Sequence, residues 1–171
     1  MNTTRYITIG SAFVTVALAL SACGGSDAHD QALESITVAP TTSANAGFEA
    51  QEVAPIIATS LRERTVDTGL NVEYELQTTA YNSQGSGSVV YVLIHNLNDV
   101  ALPVEALGTP KLKVNGNEVS GVEAGTVSLD LPLAPHASTN LAYAFSTNYS
   151  NLWNAEFTIG NVTFQGNLSS I

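Results

Sequence analysis

From Asn71 onward, apolar residues recur mostly at every second position. Val72, Tyr74, Leu76, Thr78 and Ala80 alternate with Glu73, Glu75, Gln77 and Thr79, the pattern of a half-buried strand. Asn82 to Gly87 reads as a turn, and Ser88 to Leu97 is apolar on both faces, as a central strand would be. Lys111-Leu112-Lys113-Val114, then Asn115-Gly116, then Asn117-Glu118-Val119 is a hairpin signal, because Asn and Gly tolerate the positive φ angles of a type I′ turn. Val127, Leu129, Leu131 and Leu133 alternate with Ser128, Asp130 and Pro132, and the proline puts that strand at an edge or near its own end. Leu141, Tyr143 and Phe145 form a further inward face. Phe157 and Ile159, the Gly160-Asn161 turn, and Val162 and Phe164 make a second hairpin.

Six or seven strands therefore fit in the 105 residues from 67 to 171, with no convincing helix between them. That spacing predicts an all-β fold, an antiparallel immunoglobulin-like sandwich of about seven strands. A small barrel with Greek-key connections is the alternative architecture. Residues 51–66 read in two ways. Phe48, Val53, Ile56 and Ile57 suit a short amphipathic helix starting near Pro55, and Ile56 to Val66 equally suits a first strand.

The other end of the chain has a different pattern. Met1 to Tyr6 is polar and carries Arg5, and Ile7 to Leu20 is an uncharged, mostly apolar run of fourteen residues. At about 1.5 Å per residue such a run reaches about 21 Å, short of a roughly 30 Å hydrocarbon core, so it reads as the apolar region of a signal peptide over residues 1–22. Leu20-Ser21-Ala22-Cys23 follows, and Cys23 is the chain's one cysteine. This tetrad resembles the bacterial lipobox. The resemblance implies cleavage between Ala22 and Cys23 and acylation of Cys23, leaving the mature protein held by lipid on the extracytoplasmic face of the cell membrane or outer membrane. Each buried methylene contributes about 0.8 kcal/mol, and two acyl chains hold where one binds only marginally. Residues 23–50 are then a small, polar tether with a root-mean-square span of about 25–30 Å.

A second resemblance lies in the folded part. Val90 to Pro103 runs as a strand ending in Asn96, a polar turn and a Pro-containing segment. Leu133-Ala134-Pro135-His136-Ala137-Ser138 leads into a late strand, with His136 where Gly is common. Both stretches resemble small bacterial lipoprotein domains with a telokin-like, immunoglobulin-like fold. That likeness implies a fold and an envelope location, and no activity.

Composition removes several kinds of function. Five basic residues stand against fifteen acidic ones, which excludes nucleic acid as a partner, since phosphate neutralisation needs clustered Lys and Arg. One Cys excludes an internal disulfide framework or a thiolate metal site within the chain. Cleavage before Cys23 would leave 149 residues with four basic and fifteen acidic side chains, a net charge of −11. Anionic headgroups repel such a domain, so lipid would have to hold it at a membrane.

Candidate chemistry is sparse. His29, His95 and His136 lie in distant segments and no G-x-S-x-G occurs, so a serine hydrolase is not supported. His29 with Asp27 and Asp30 reads as solvated tether. Asn96, Asn98 and Asp99 read as turn-forming side chains rather than a calcium loop. Neither a metal nor a cofactor is expected. Tyr149, Leu152 and Trp153 sit in an Asn- and Ser-rich loop, where they either contact a protein partner or plug one end of the sandwich. The combined expectation is a membrane-anchored lipoprotein presenting a non-enzymatic sandwich for binding at the cell envelope. An envelope enzyme or small-molecule carrier with a loop-built site, and an accessory subunit of an envelope complex, are the alternatives.

Overall fold

The computed structural model describes residues 47–171. The expected signal peptide, the Ala22–Cys23 junction and the tether as far as residue 46 lie outside the described residues. Among the described residues ten strands form: β1 (Ile56–Ile57), β2 (Thr65–Asp67), β3 (Val72–Tyr81), β4 (Ser88–Asn96), β5 (Lys111–Val114), β6 (Asn117–Val119), β7 (Gly121–Val127), β8 (Ser138–Phe145), β9 (Ala155–Ile159) and β10 (Val162–Gly166). They make two five-stranded sheets, one ordered β1-β10-β9-β5-β6 and the other β2-β3-β4-β8-β7. Every pairing is antiparallel except that of the two-residue β1 with β10. The fold is an all-β sandwich, as the alternating pattern predicts.

Aromatic side chains from both sheets meet in its interior. The Phe157 ring of β9 lies 6.2 Å from Tyr143 and 6.1 Å from Phe145, both on β8. Val72, Tyr74, Leu112, Phe157, Phe164 and Leu168 are buried in the same core. β8 is buried continuously from Leu141 to Phe145 because its alternate residues, Ala142 and Ala144, pack with Val89, Tyr91 and Val122 in a separate cluster.

Both hairpins form. Asn115 and Gly116 adopt φ angles of 51° and 79°, and Gly160 adopts 54° ahead of Asn161. At 51–66 the chain takes neither a helix nor one long strand, but the short β1 and β2. Its amides are satisfied by other elements: Gln51 N–H donates to the Gly69 carbonyl, Ile56 to that of Asn161 and Ala58 to that of Thr163. Extended backbone along a sheet edge thereby replaces intrahelical bonding. The sandwich consequently begins upstream of residue 67, and Phe48 within the expected tether already packs against the core.

Two strand readings are corrected. The pairing of β3 with β4 shifts between Leu76 and Thr78, and this bulge reverses the alternation. Thr79, rather than Thr78, turns inward and donates from Oγ1 to the Leu168 carbonyl at 2.7 Å. The strand expected over 127–133 instead ends at Val127, and the chain before it, from Gly121, is the true edge strand. Leu129 and Leu133 are still buried, with Leu133 bridged to Leu102, whereas Leu131 is exposed. The Pro135-His136 turn keeps its form without glycine. His136 takes φ 55° and the Ala137 N–H reaches the Ala134 carbonyl, the arrangement of a type II turn with Pro in its second position.

One end of the sandwich is organised by a continuous polar network. The Asp67 carboxylate is 0 % exposed. Its Oδ1 accepts from the N–H of Gly69 (2.9 Å) and Leu70 (3.2 Å) and from Asn161 Nδ2 (2.9 Å). Its Oδ2 accepts from Asn161 N–H (2.8 Å), which joins the edge of one sheet to the β9–β10 turn of the other. The Leu70 carbonyl accepts from Asn98 Nδ2 (2.9 Å), and Asn98 also donates to Asn96 Oδ1 (2.8 Å). Buried Asn96 then donates to the carbonyls of Val100, Leu133 and Ala134 at 2.9–3.0 Å. Gly160 completes the fit: a Cβ there would lie 2.5 Å from Tyr74 Oη and 2.6 Å from Asp67 Oδ2.

Truncating Asp67 strands its buried donors, so Asp67→Ala is expected to lower the unfolding free energy by about 3–5 kcal/mol. Gly160→Ala is expected to cost about 1–3 kcal/mol through overpacking and positive-φ strain. Urea unfolding of the described domain checks both values. A loss below about 1 kcal/mol for Asp67→Ala, the size of an ordinary hydrogen bond, would show that the network does not join the sheets energetically.

Candidate functional site

Three places on the sandwich gather residues able to do chemistry or bind. The first is a 3-10 helix, Tyr149–Asn154, before β9. With three residues per turn, positions three apart share a stripe. Tyr149 and Leu152 thus point inward together: Leu152 is 0 % exposed, and Tyr149 donates from its hydroxyl to the Ser169 carbonyl at 2.6 Å. Trp153 lies off that stripe and is 60 % exposed. The expected trio therefore divides. Leu152 is a plug with no surface for a partner, Tyr149 is a half-buried brace, and Trp153 is free to make contact. Tyr81, an exposed residue at the end of β3, sets its ring 5.1 Å from that of Tyr149 at a tilt of 37°.

The second place is the outer face of the β2-β3-β4-β8-β7 sheet. Strand register puts Glu73, His95 and Ser138 side by side on β3, β4 and β8. His95 Nδ1 and Ser138 Oγ are 2.7 Å apart, while Glu73 and Glu75 hold Arg64 at 3.1 and 2.8 Å. Together with Leu93 these residues edge a shallow recess of about 170 Å³. Sequence spacing gave no sign of this, because the His95–Ser138 contact joins residues 43 positions apart. A hydroxyl beside an imidazole is the pairing of nucleophile and base that covalent catalysis uses. Acyl transfer also needs donors aimed at a developing oxyanion. The row is a hydrogen-bonded surface seam. His136, on the Ala134–Ala137 turn, contacts Asp99 through Nε2 at 2.9 Å, and both side chains are exposed. Asn96 and Asn98 serve the internal network, as turn-formers do. Among the described residues no group of three His, Cys, Asp or Glu side chains is placed to share a metal ion.

The third place arises from an irregularity in β7. Val122 pairs with Ala144 and Val127 with Ala142, so four residues of β7 oppose the single residue Tyr143. The bulge is held by side chains. Thr126 Oγ1 accepts from Ala144 N–H (3.0 Å) and donates to the Val122 carbonyl (2.6 Å), substituting for the missing ladder bonds. Asn82 Nδ2 donates to the Ala124 carbonyl at 2.7 Å. Gly125, at φ 90°, passes so near Asn82 that a Cβ would sit 2.4 Å from Oδ1. Where β7 lifts away, a cleft of about 380 Å³ opens toward the interior, with Leu107, Leu129, Tyr143 and Phe145 among its walls. The sequence carried one sign of it, the Glu123-Ala124-Gly125 interruption between apolar residues.

No family model matches this chain, and no curated protein or solved structure is significantly similar to it. Among the described residues no helix is long and apolar enough to cross a membrane.

The tyrosines of the interior tie stability to pH. Burial pushes the Tyr143 phenol up to about 12. Burial, and then the charge of Asp67 and the neighbouring Tyr143, raises Tyr74 as well. Both groups hold their protons more tightly folded than unfolded, so their contribution is complete below the unfolded value near 10 and is lost as pH climbs from about 10 toward 12. Each is expected to lower stability by about 1.4 kcal/mol per pH unit in that window. Denaturant midpoints measured across it check this. Tyr143→Phe should flatten the slope by one tyrosine's share, and an unchanged slope would count against burial of the phenol.

Proposed function

We propose that this protein is a lipid-anchored lipoprotein of the extracytoplasmic face, presenting a non-enzymatic β-sandwich for binding at the cell envelope. The observation that carries the reading is the single cysteine of the chain standing at Leu20-Ser21-Ala22-Cys23, directly after an apolar run of signal-peptide length. The folded domain supports it by how its polar residues are used. Asp67, Asn96 and Asn98 are occupied in holding turns together, and His95 and Ser138 lie on an open sheet face. What remains for recognition is surface, above all Trp153, an exposed aromatic of the kind that anchors protein contacts. Phe48 packs on the domain, so up to 24 residues separate Cys23 from it, enough for an extended reach of several tens of ångströms, about 3.3–3.6 Å for each residue.

Membrane fractionation with an alkyne fatty-acid label tests the anchor. The full chain is expected to carry label and sediment with membranes, and Cys23→Ser to lose label and either appear in the soluble fraction or retain its leader. Normal cleavage with undiminished membrane retention of Cys23→Ser would overturn the lipid anchor. The binding role is tested by photocrosslinking from residues flanking Trp153 in intact cells. A discrete crosslinked protein should form with the native chain and vanish with Trp153→Ala. A crosslinking pattern indifferent to that substitution would remove Trp153 as the contact.

A further inference from the structure

The cleft beside β7 is a built feature, and its chemistry differs from that of the surrounding surface. Edge strands commonly bulge to terminate pairing or re-aim side chains next to a site. Here the bulge is fixed by three independent devices: the Thr126 hydroxyl within the ladder, the Asn82 side chain on the Ala124 carbonyl, and the positive φ of Gly125. The cleft therefore stands open before anything binds. Its volume of about 380 Å³ falls within the range of small-ligand pockets, roughly 300–1,000 Å³.

The walls and the rim are of different character. Val104, Leu107, Leu129 and Phe145, with the Tyr143 ring, supply apolar surface, and Thr126 and Ser128 contribute hydroxyl oxygens. Glu123 is the one charged residue of the lining. In the chain, Glu105 and Asp130 flank lining residues on the acidic side and Lys111 on the basic side. Across residues 47–171 twelve acidic side chains face four basic ones, so the field of the domain as a whole is negative, and the charge of the lining has the same sign. An apolar body with an anionic head would meet repulsion there, whereas a cationic head would be drawn toward Glu123.

We propose that this cleft binds a small cationic amphiphile, its apolar body against Leu107, Leu129 and Tyr143 and its positive head at Glu123. The site is independent of the lipid anchor and of the Trp153 surface. It adds a ligand-binding role to a domain otherwise read as a docking module.

Titration of the protein with decyltrimethylammonium below its micellar concentration, followed by amide chemical shifts, tests the proposal, with decanoate as the anionic counterpart of equal chain length. Saturable one-to-one binding is expected, with shifts confined to β7, β8 and the Val104–Leu107 3-10 helix, and decanoate should bind more weakly. Val104→Trp and Thr109→Trp, both at the mouth, should weaken the cation by about tenfold or more, equivalent to about 1.4 kcal/mol of lost contact. Glu123→Gln, an exposed change, should weaken it by about two- to fivefold and narrow the difference from decanoate. Thermal unfolding confirms that each variant is folded, and any one of the three folded variants is enough to test the site. Binding unaffected by both tryptophans, shifts spread over the acidic surface, or decanoate binding as well as the cation would overturn the site.

Discussion

The described domain depends on a carboxylate taken out of water. Asp67 lies on the edge strand of one sheet with both oxygens turned toward amide donors, two from its own turn and two from Asn161 in the opposite sheet. A buried charge is tolerated only when its acceptor positions are filled. Filling them fixes the register between the sheets at that end. Gly160 must then be glycine, since a side chain would drive into the carboxylate and the Tyr74 hydroxyl. The Leu70 carbonyl hands the network on to Asn98 and Asn96, which together secure the loop after β4 and the turn before β8. Four connections are thereby locked by the short side chains of Asp67, Asn161, Asn98 and Asn96.

The opposite kind of control operates at β7. There the ladder is interrupted, and the strain of four residues facing one is absorbed by Thr126, Asn82 and Gly125. Closing one end with polar bonds while propping a far edge open is an economical way to give a rigid sandwich a cavity. Tyr143 and Phe145, packed on Phe157 as core for the sheets, also serve as wall for the cleft. A surface that is already ordered loses little entropy on meeting a ligand.

How far the sequence foretold this varies from element to element. Asn115-Gly116 and Gly160-Asn161 were readable as hairpin turns because positive φ is a local requirement with a local signature. The inward face of β3 was readable only as far as Leu76, since a bulge leaves no mark on composition. Leu129 and Leu133 showed their burial through alternation, although the chain around them is not a strand. His136 takes the positive φ of the glycine position that its sequence context had marked, although histidine itself gives no sign of it. The Tyr149–Trp153 stretch needed the 3-10 geometry before one of its residues could be separated from its neighbours as surface.

By itself, then, the sequence determined that the folded part is a stack of alternating strands with two tight hairpins. It also determined that the lone cysteine closely follows an uncharged, mostly apolar run and that acidic residues outnumber basic ones three to one. These follow from period, local backbone demand and composition, all of which are properties of neighbouring residues. Only the tertiary structure decided that Asp67 meets Asn161 across 94 positions, that His95 meets Ser138, and that β7 parts from β8 to open a cleft. Such contacts depend on which strands become neighbours and in which register. Burial of the two sheets against each other sets that choice, and no stretch of the chain sets it alone.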